Sequence, residues 1–405
     1  PEAWWVALQL ACAEAGGLAD VVAISVAAQP HGMVVLDDDG RVIRPALLWN
    51  DTRSAAAASD LVAEFGADAF ARRTGSLPVA SFTIAKLRWL RDAEPEAAAR
   101  VAAVALPHDW LSWRLRGDGP GPDSPLGPVL EALTTDRSDA SGTGYWGAAG
   151  YDRELFVQAL GRDATLPRVL GPGEVAGRTP SGAIVGAGMG DNAGAALGLD
   201  ARAGDLVVSI GTSGTVFAVS PSPTNDPSGT IAGFADASGA FLPLVCTLNA
   251  ARVLDSIAAL LGVQLDELGR LALEAEPGAS GVVLVPYFEG ERTPNLPHAT
   301  ASFSGLTLGS TSRPNLARAS IEGMLCGLAA GVDALRAAGI SPHRLLLIGG
   351  AAQNDAVPAV AAHVFDVPIT VPAASEYVAD GAARQAAWAL TGVRPQWPVA
   401  TTATM

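Results

Sequence analysis

Short apolar runs, each typical of a buried β-strand, alternate along the chain with longer Ala-rich segments whose apolar positions recur at helical spacing. The predicted strands cover residues 21–26, 33–36, 101–106, 183–185, 206–209, 216–219, 241–246, 282–286 and 345–348. The predicted helices cover residues 2–15, 54–73, 83–100, 154–160, 250–261, 315–337 and 380–390. This alternation predicts a mixed α/β fold.

The chain is too long for one ordinary hydrophobic core, because it has 405 residues. A break is predicted near residues 201–204, where a new pair of strands begins. We therefore expect one domain over residues 1–202 and a second over residues 203–405.

Two glycine-rich stretches suggest chemistry. Gly186–Gly194 follows an apolar run and leads into an Ala-rich segment, so it predicts a strand, a tight turn and a helix that begins with Asp191 and Asn192. Ile210–Thr215 lies between two β-type runs and predicts a hairpin turn of small residues, whose backbone N–H groups can hold an anion. We interpret the first stretch as the source of a base and the second as a phosphate cradle.

Composition and charge limit the classes of molecule that the protein can bind. Hydrophobic residues make up 49% of the chain and charged residues 17%, as in globular proteins. The formal net charge is −15, so the surface repels nucleic acid and anionic membranes, and we expect neither as a partner. A phosphate group must therefore be held by local geometry.

The lysine count excludes two classes of kinase. Lys86 is the only lysine, and no glycine loop precedes it, so a P-loop nucleotide site is excluded. The positioned strand lysine and the His-Arg-Asp loop of protein kinases are missing as well.

Cysteine use and hydropathy indicate a cytoplasmic protein. Cys12, Cys246 and Cys326 are far apart and form no Cys-x-x-Cys pair, which suits a reducing compartment. The histidines show no metal-binding spacing. No apolar run approaches the roughly 20 residues of a membrane span, and the apolar run 4–13 lacks the basic lead of a signal peptide.

Nine segments together resemble the carbohydrate kinases of the FGGY family and, within it, the xylulokinases. They follow the family's order along almost the whole chain, which is more specific than any single motif. The segments are residues 29–32, 47–51, 138–143, 188–192, 211–214, 286–294, 305–306, 348–351 and 376–384.

The resemblance implies two actin-like, ribonuclease H-like ATPase domains that flank a central cleft. It implies transfer of the γ-phosphoryl group of ATP to D-xylulose, giving D-xylulose 5-phosphate, with Mg²⁺ as the metal. Asp191 would be the general base and would act on the metal only indirectly. The substrates would then be a small sugar and a nucleotide, and a homodimer is one assembly that the sequence allows.

The resemblance also implies roles for further residues. The sugar would be bound by Pro30, His31 and Asn192. By the same resemblance, two segments of the second domain would bind the nucleotide. Their residues are Gly211, Thr212, Ser213, Gly350, Ala351 and Asn354.

Two features depart from the family pattern. Family members begin with a β-hairpin that contains an Asp-x-Gly-Thr-type phosphate loop, and this sequence contains no such stretch; we expect the first domain to lack that hairpin here. Pro30 stands where many xylulokinases carry Met or Gln before the histidine, which affects the shape of the sugar pocket but leaves His31 in place.

Simpler interpretations compete at single residues. Asp191 could merely cap its helix, and His31 could be a core histidine whose hydrogen bonds are satisfied; in the pocket it could instead donate to a sugar hydroxyl. We interpret Asp136 and Asp139 as solvated loop acids. Glu291 and Arg292 suggest an internal ion pair of the second domain.

Three other functions compete with xylulose phosphorylation. The same chemistry could serve ribulose, gluconate, glycerol or a related polyol. A truncated, catalytically inactive actin-like protein is a second alternative. A dinucleotide oxidoreductase is disfavoured, because the glycine spacing before Asp191 is not Gly-x-Gly-x-x-Gly and a carboxylate there would repel a pyrophosphate.

Overall fold

The computed structural model describes residues 1–405 and confirms a mixed α/β architecture. The α-helices are α1 Glu2–Glu14, α2 Ala55–Phe65, α3 Ala67–Thr74, α4 Thr83–Ala93, α5 Pro95–Ala99, α6 Pro107–Leu115, α7 Arg137–Ser141, α8 Arg153–Leu160, α9 Asp191–Gly198, α10 Ala251–Leu261, α11 Leu265–Glu274, α12 Arg313–Ala337, α13 Ala356–Val364 and α14 Tyr377–Thr391. Short 3₁₀ turns lie at Leu130–Ala132, Ala279–Gly281 and Gly350–Gln353.

The strands are mostly short. They are β1 Ala23–Ile24, β2 Ala27–Ala28, β3 Val34–Leu36, β4 Ala103–Ala105, β5 Thr134–Asp136, β6 Trp146–Gly147, β7 Gly150–Tyr151, β8 Arg168–Leu170, β9 Val175–Arg178, β10 Ile184–Gly186, β11 Met189–Gly190, β12 Asp205–Ile210, β13 Gly214–Ala218, β14 Ala232–Ala235, β15 Phe241–Thr247, β16 Val283–Val285, β17 Ser302–Ser304, β18 Arg344–Ile348, β19 Ile369–Pro372 and β20 Thr401–Thr404.

Two compact units divide the chain, and neither is one continuous segment. Unit 1 comprises residues 1–200, 222–241 and 376–397, so it takes up β14 and α14 from the second half of the sequence. Unit 2 comprises residues 201–221, 242–375 and 398–405. None of the helices combines the length and the apolar character that crossing a membrane requires.

Unit 1 contains several small sheets. β1 pairs with β10 in parallel and β10 with β9 in antiparallel orientation, while β2 pairs with β11 and β5 with β8 in parallel. β3 and β4 form an antiparallel pair whose residues are all buried. Helix α14 packs against α9, β1 and β10 and so covers the strands that lead to Asp191.

Unit 2 contains one larger sheet, in which its strands follow the order β15-β13-β12-β18-β19-β20. β12 and β13 form the antiparallel hairpin expected around residues 210–215, and β12 pairs in parallel with β18. The 25-residue helix α12 packs against β13 and against α10, α11 and α13.

Several predicted elements are shorter or more broken than expected. The helix predicted over 54–73 is divided at Gly66, whose φ of 86° is outside the helical range. The helix predicted over 83–100 is divided at Glu94, because Pro95 disfavours a helical conformation in the residue before it. The prediction of a single buried strand over residues 21–26 is wrong. β1 and β2 are short and separate, and Val22 is 62% exposed.

Candidate active site

One parallel pair of strands in unit 1 brings four predicted site residues together. Met189 of β11 pairs with Ala27 of β2, and Gly190 pairs with Ala28. The carboxyl ends of parallel strands meet at the same edge of a sheet. Pro30 and His31 follow β2 and Asp191 and Asn192 follow β11, so both pairs lie at that edge. A Cβ atom on Gly190 would be 3.8 Å from Pro30 Cβ, which shows how close the two segments are.

Asp191 is the first residue of α9, and its carboxylate is partly fixed by its neighbour. Its Oδ1 atom accepts hydrogen bonds from the backbone N–H of Asn192 (2.7 Å) and from Asn192 Nδ2 (2.9 Å). Burial raises the pKa of the Asp191 carboxyl above its ordinary value, although backbone hydrogen bonds oppose the shift.

His31 is held in an unusual backbone conformation. Its φ is 67°, in the left-handed region that non-glycine residues seldom adopt. The ring stacks on Phe82 with centroids 4.7 Å apart and an interplanar angle of 16°. Nδ1 lies 2.6 Å from the carbonyl oxygen of Gly142, so Nδ1 carries a proton and donates it. In the neutral imidazole Nε2 is therefore an acceptor, so His31 would donate from Nε2 to a sugar hydroxyl only as the imidazolium.

The short helix α7 supports both halves of this site. Ser138 Oγ accepts a hydrogen bond from the backbone N–H of Gly190 (3.1 Å), next to Asp191. The residue after the helix, Gly142, supplies the carbonyl that binds His31. Asp136 caps the helix by accepting from the backbone N–H groups of Ser138 (2.8 Å) and Asp139 (3.0 Å).

The interpretation of Asp136 and Asp139 as solvated loop acids is wrong. Both are buried, Asp136 3% and Asp139 0% exposed. Asp139 Oδ2 lies 2.5 Å from Nδ1 of His108, which is also fully buried. The sequence gave little indication of this burial, because a polar, glycine-containing segment is normally exposed and His108 is 31 residues from Asp139.

His108 and its carboxylates form a charged network beneath the loop that leads to Asp191. Nε2 of His108 lies 3.2 Å from Asp109 Oδ1, close enough for charge attraction but without the alignment of a hydrogen bond. Burial would lower the pKa of His108, but Asp109, Asp139 and Asp136 together raise it to about 10. Burial raises the pKa of Asp139, against the attraction of His108. A side chain at Gly188 would overlap the His108 ring, so the loop rests directly on this network.

Three residues of the network, His108, Asp136 and Asp139, are close enough to be considered as metal ligands. Several of their lone pairs are already used in hydrogen bonds, whereas His108 Nε2 and Asp139 Oδ1 have no hydrogen-bond partner. Asp136 accepts from the N–H groups of α7 and from Ser138 Oγ (2.6 Å), and Asp139 Oδ2 accepts from the imidazole. The group is therefore better described as a helix cap joined to a buried charge pair.

Gln385 of α14 fixes the other side of the same loop. Its Oε1 accepts from the backbone N–H of Gly188 (2.8 Å), and its Nε2 donates to the Gly188 carbonyl (2.9 Å). Ser25 Oγ also donates to Oε1 (2.5 Å). Gln385 is fully buried, and this two-point contact was not foreseen from the sequence.

In unit 2 the predicted phosphate loop is an exposed turn. Gly211, Thr212 and Ser213 connect β12 to β13, and the side chains of Thr212 and Ser213 face solvent. The Gly211 carbonyl accepts from the backbone N–H of Ala251 at 2.9 Å, which anchors the turn to the start of α10.

The second predicted nucleotide segment follows β18, beside this turn. Ser209 of β12 pairs with Ile348, so the two parallel strands end next to each other. Gly349 has a φ of 98°, and a Cβ there would lie 2.5 Å from the Ile210 carbonyl oxygen, so only glycine allows this approach. Gly350 is exposed, and nothing lies within 4 Å of where its Cβ would be. The structure thus brings Gly211–Ser213, Gly350 and Ala351 to one edge of the sheet.

Asn354 has a structural role. Its Nδ2 donates to the Leu265 carbonyl (2.9 Å) and its Oδ1 accepts from the Ala356 backbone N–H (3.0 Å). These contacts join α11 to α13. The Asn354 side-chain amide is therefore committed to contacts within unit 2.

The predicted ion pair of Glu291 with Arg292 is replaced by hydrogen bonds to N–H groups. Glu291 is buried, and its Oε1 accepts from the backbone N–H groups of Leu248 and Arg292, each at 2.7 Å. Its Oε2 accepts from Asn249 Nδ2 at 2.9 Å. The Arg292 side chain is exposed. Glu291 therefore organises the backbone of its loop.

Comparisons with known proteins identify the family of this chain. The model of the N-terminal domain of the FGGY family of carbohydrate kinases matches residues 1–200, and the model of its C-terminal domain matches residues 206–390. Xylulose kinase of Streptomyces coelicolor is 46% identical, over 97% of this chain and 79% of that protein. Xylulose kinase of Escherichia coli is 36% identical, over 88% of this chain and 74% of that protein.

Solved structures lead to the same family. The crystal structure of xylulose kinase from Bifidobacterium adolescentis matches with a TM-score of 0.92 and 45% identity, covering 99% of this chain and 87% of that one. The predicted fold class, two domains of the actin-like sugar kinase type, is confirmed. The chain belongs to the FGGY family of carbohydrate kinases.

Proposed function

We propose that this chain phosphorylates D-xylulose at its terminal hydroxyl with ATP, giving D-xylulose 5-phosphate and ADP. The observation that carries the proposal is the edge of the β2–β11 pair, where Asp191 lies beside Pro30 and His31. The similarity of the whole chain to proteins named xylulose kinase supports the choice of sugar.

Asp191 is the general base of this proposal. Oδ2 takes the proton of the terminal hydroxyl while the hydroxyl oxygen bonds to the γ-phosphorus and the bond to the β-phosphate oxygen breaks. A raised pKa makes the carboxylate a stronger base than an exposed aspartate, and such proton transfer contributes about 10²–10⁴-fold to a rate. Asn192, through its two hydrogen bonds to Oδ1, fixes the carboxylate for this step.

His31 and Pro30 form the sugar side of the site. The tautomer set by Gly142 lets Nε2 of the neutral imidazole accept a hydrogen bond from a sugar hydroxyl. Phe82 covers one face of the ring. We assign His31 to binding and orientation of the sugar and Pro30 to the wall beside it.

The residues of unit 2 fit a nucleotide. The turn Gly211–Ser213 offers backbone N–H groups and two hydroxyls at an exposed position, and Gly350 leaves open space above the backbone next to Ala351. We assign the turn to the γ-phosphate and Gly350, Ala351 and the backbone near Asn354 to the adenosine. A bound Mg²⁺ would neutralise phosphate charge, and Asp191 would influence it only indirectly.

Asp191→Asn tests the base directly. We expect kcat for xylulose phosphorylation to fall by about 10²–10⁴-fold, because the amide cannot take a proton, while the dissociation constant for ATP stays within about twofold. Coupled-assay kinetics and calorimetry measure the two quantities. Asp60→Asn, at an exposed position of α2, is the matched control and should retain full activity.

A substrate panel tests the sugar. Xylulose should give a higher kcat/KM than ribulose, gluconate or glycerol in the unsubstituted protein. A preference for glycerol would overturn the pentose assignment, and ordinary turnover in Asp191→Asn would remove Asp191 from the mechanism.

A further inference from the structure

We propose that Lys86 is a positioning residue for sugar binding, because its buried ammonium group holds the main chain of His31 in the conformation that aims the imidazole. The inference rests on the proposed function, in which His31 binds the sugar. In the proposed function, Lys86 takes no part in phosphoryl transfer and makes no direct contact with the sugar.

The contacts of Lys86 point to His31. Its side chain is fully buried. Nζ donates to the backbone carbonyl oxygen of His31 at 2.8 Å and to that of Ser81 at 2.5 Å. Thr83 Oγ1 donates to the same His31 carbonyl at 3.3 Å. The first turn and a half of α4 therefore supplies two donors to one carbonyl group.

His31 needs this support because its backbone is strained. A non-glycine residue with a φ of 67° persists only where its surroundings fix it. The ring is fixed separately, by stacking on Phe82 and by the Gly142 carbonyl. Phe82 directly precedes α4, so the same helix start fixes the ring of His31 on one side and its carbonyl on the other.

Burying the Lys86 amine costs free energy of folding. Burial lowers the pKa of Lys86 to about 7, and the nearby Asp51 carboxylate only partly opposes the shift. Lys86 makes its hydrogen bonds to backbone carbonyls, and a protein gains little overall stability by burying an amine for such contacts. The position of the amine instead defines the geometry of the residue that faces the sugar.

Lys86→Met tests the inference, because methionine keeps the approximate volume and removes the donors. Because the His31 carbonyl then loses its 2.8 Å hydrogen bond, we expect the dissociation constant and KM for xylulose to rise by about 10–100-fold. The dissociation constant for ATP and kcat at saturating xylulose should change by less than about threefold. Thr83→Val should change xylulose affinity in the same direction by a smaller factor, because Thr83 supplies the longer of the two hydrogen bonds.

Arg88→Met is the matched control. Arg88 is a buried cation of the same helix, but it pairs with Glu64 and Asp92 rather than with His31. It should lower thermal stability while leaving xylulose affinity unchanged. Equal losses of xylulose affinity in Lys86→Met and Arg88→Met would reduce Lys86 to a structural residue and overturn the proposal.

Spectroscopy of the unsubstituted protein gives a second test that does not depend on a variant folding. Since the sequence has one lysine, isotope-labelled lysine reports Lys86 alone. Xylulose added without ATP should shift the Lys86 side-chain resonance, and an unchanged resonance at saturating xylulose would overturn the proposal. Failure of the unsubstituted protein to bind xylulose would instead overturn the proposed function, which keeps the two failures distinguishable.

Discussion

The environment of Asp191 opposes its charge, so if Asp191 is the proposed base, the activity of the protein should depend on pH in a defined direction. Burial raises its pKa, and the base works only when deprotonated. We expect kcat to fall as the pH decreases through that raised pKa, with a midpoint above the ordinary range of aspartate. A pH–rate profile at saturating substrates measures it, with circular dichroism over the same range to exclude unfolding. A constant kcat down to about pH 4 would contradict the assignment.

The same burial predicts a stability effect of opposite sign. A carboxyl whose pKa is raised by folding destabilises the folded state once the pH exceeds that pKa. Asp191→Asn should therefore raise the melting temperature at pH 7 while it removes activity, a trade-off that is common at catalytic sites. Scanning calorimetry of both proteins measures the difference, and a lower melting temperature in the variant would contradict the prediction.

His108 should stabilise the fold through its charge. His108→Gln leaves buried carboxylates without their cation, so we expect the free energy of unfolding at pH 7 to fall by about 3–5 kcal/mol. Folding raises the pKa of His108 from 6.5 to about 10, so its contribution is complete below 6.5 and is lost as the pH rises toward 10. Urea denaturation of both proteins at pH 7 and pH 9.5 should show the difference shrinking. A difference independent of pH would mean that packing, not charge, accounts for it.

Some residues of the candidate site can be located from the sequence more easily than others, for a physical reason. Asp191 and His31 each follow a strand and precede or include a turn, which is a local pattern. His108, Asp139 and Lys86 acquire their roles through burial among segments far apart in sequence, and a side chain's burial is not encoded by its immediate neighbours. Asp136 and Asp139 were therefore expected at the surface, but the structure buries both.

At the scale of elements, the contact between α9 and α14 depends on glycines. A Cβ at Gly198 would overlap the Tyr377 carbonyl, and one at Gly381 would overlap the Gly194 carbonyl. Strands with local apolar signals, such as β12 and β18, were predicted well, but this close approach of two helices was not. It brings α14 against the helix that begins with Asp191.

Gly198→Ala should separate these helices. We expect a loss of about 1–3 kcal/mol in the free energy of unfolding, as for other overpacked sites, and a lower kcat because α9 carries Asp191. Gly327→Ala is the control, since Gly327 lies in α12 with nothing within 4 Å of its would-be Cβ. The control should gain about 0.5–1 kcal/mol from the higher helix propensity of alanine. Denaturant titrations measure the free energy of unfolding of both variants. An unchanged stability in Gly198→Ala would show that α9 and α14 can shift to accommodate the added methyl group.

At the scale of the whole molecule, the order of elements in the sequence differs from their grouping in space. Residues 222–241 and 376–397 belong to the unit that contains Asp191, although the expected boundary assigned them to the second domain. Hydropathy cannot reveal such a return of the chain, because each returning segment has an ordinary strand or helix pattern. Only contacts between distant residues define the unit.

Gln385 is the clearest example of this return of the chain, and its replacement tests how much the loop that leads to Asp191 depends on it. Gln385→Leu keeps a buried side chain of similar size but leaves both the N–H and the carbonyl of Gly188 without the partner 197 positions away. Unpaired buried backbone groups cost about 1–3 kcal/mol each, so the loop should move and kcat should fall by about tenfold or more while ATP affinity is retained. Gln158→Leu, at an exposed position of α8, should leave both quantities unchanged. Full activity in Gln385→Leu would show that the His108 network and α7 suffice to hold the loop, and that α14 contributes packing alone.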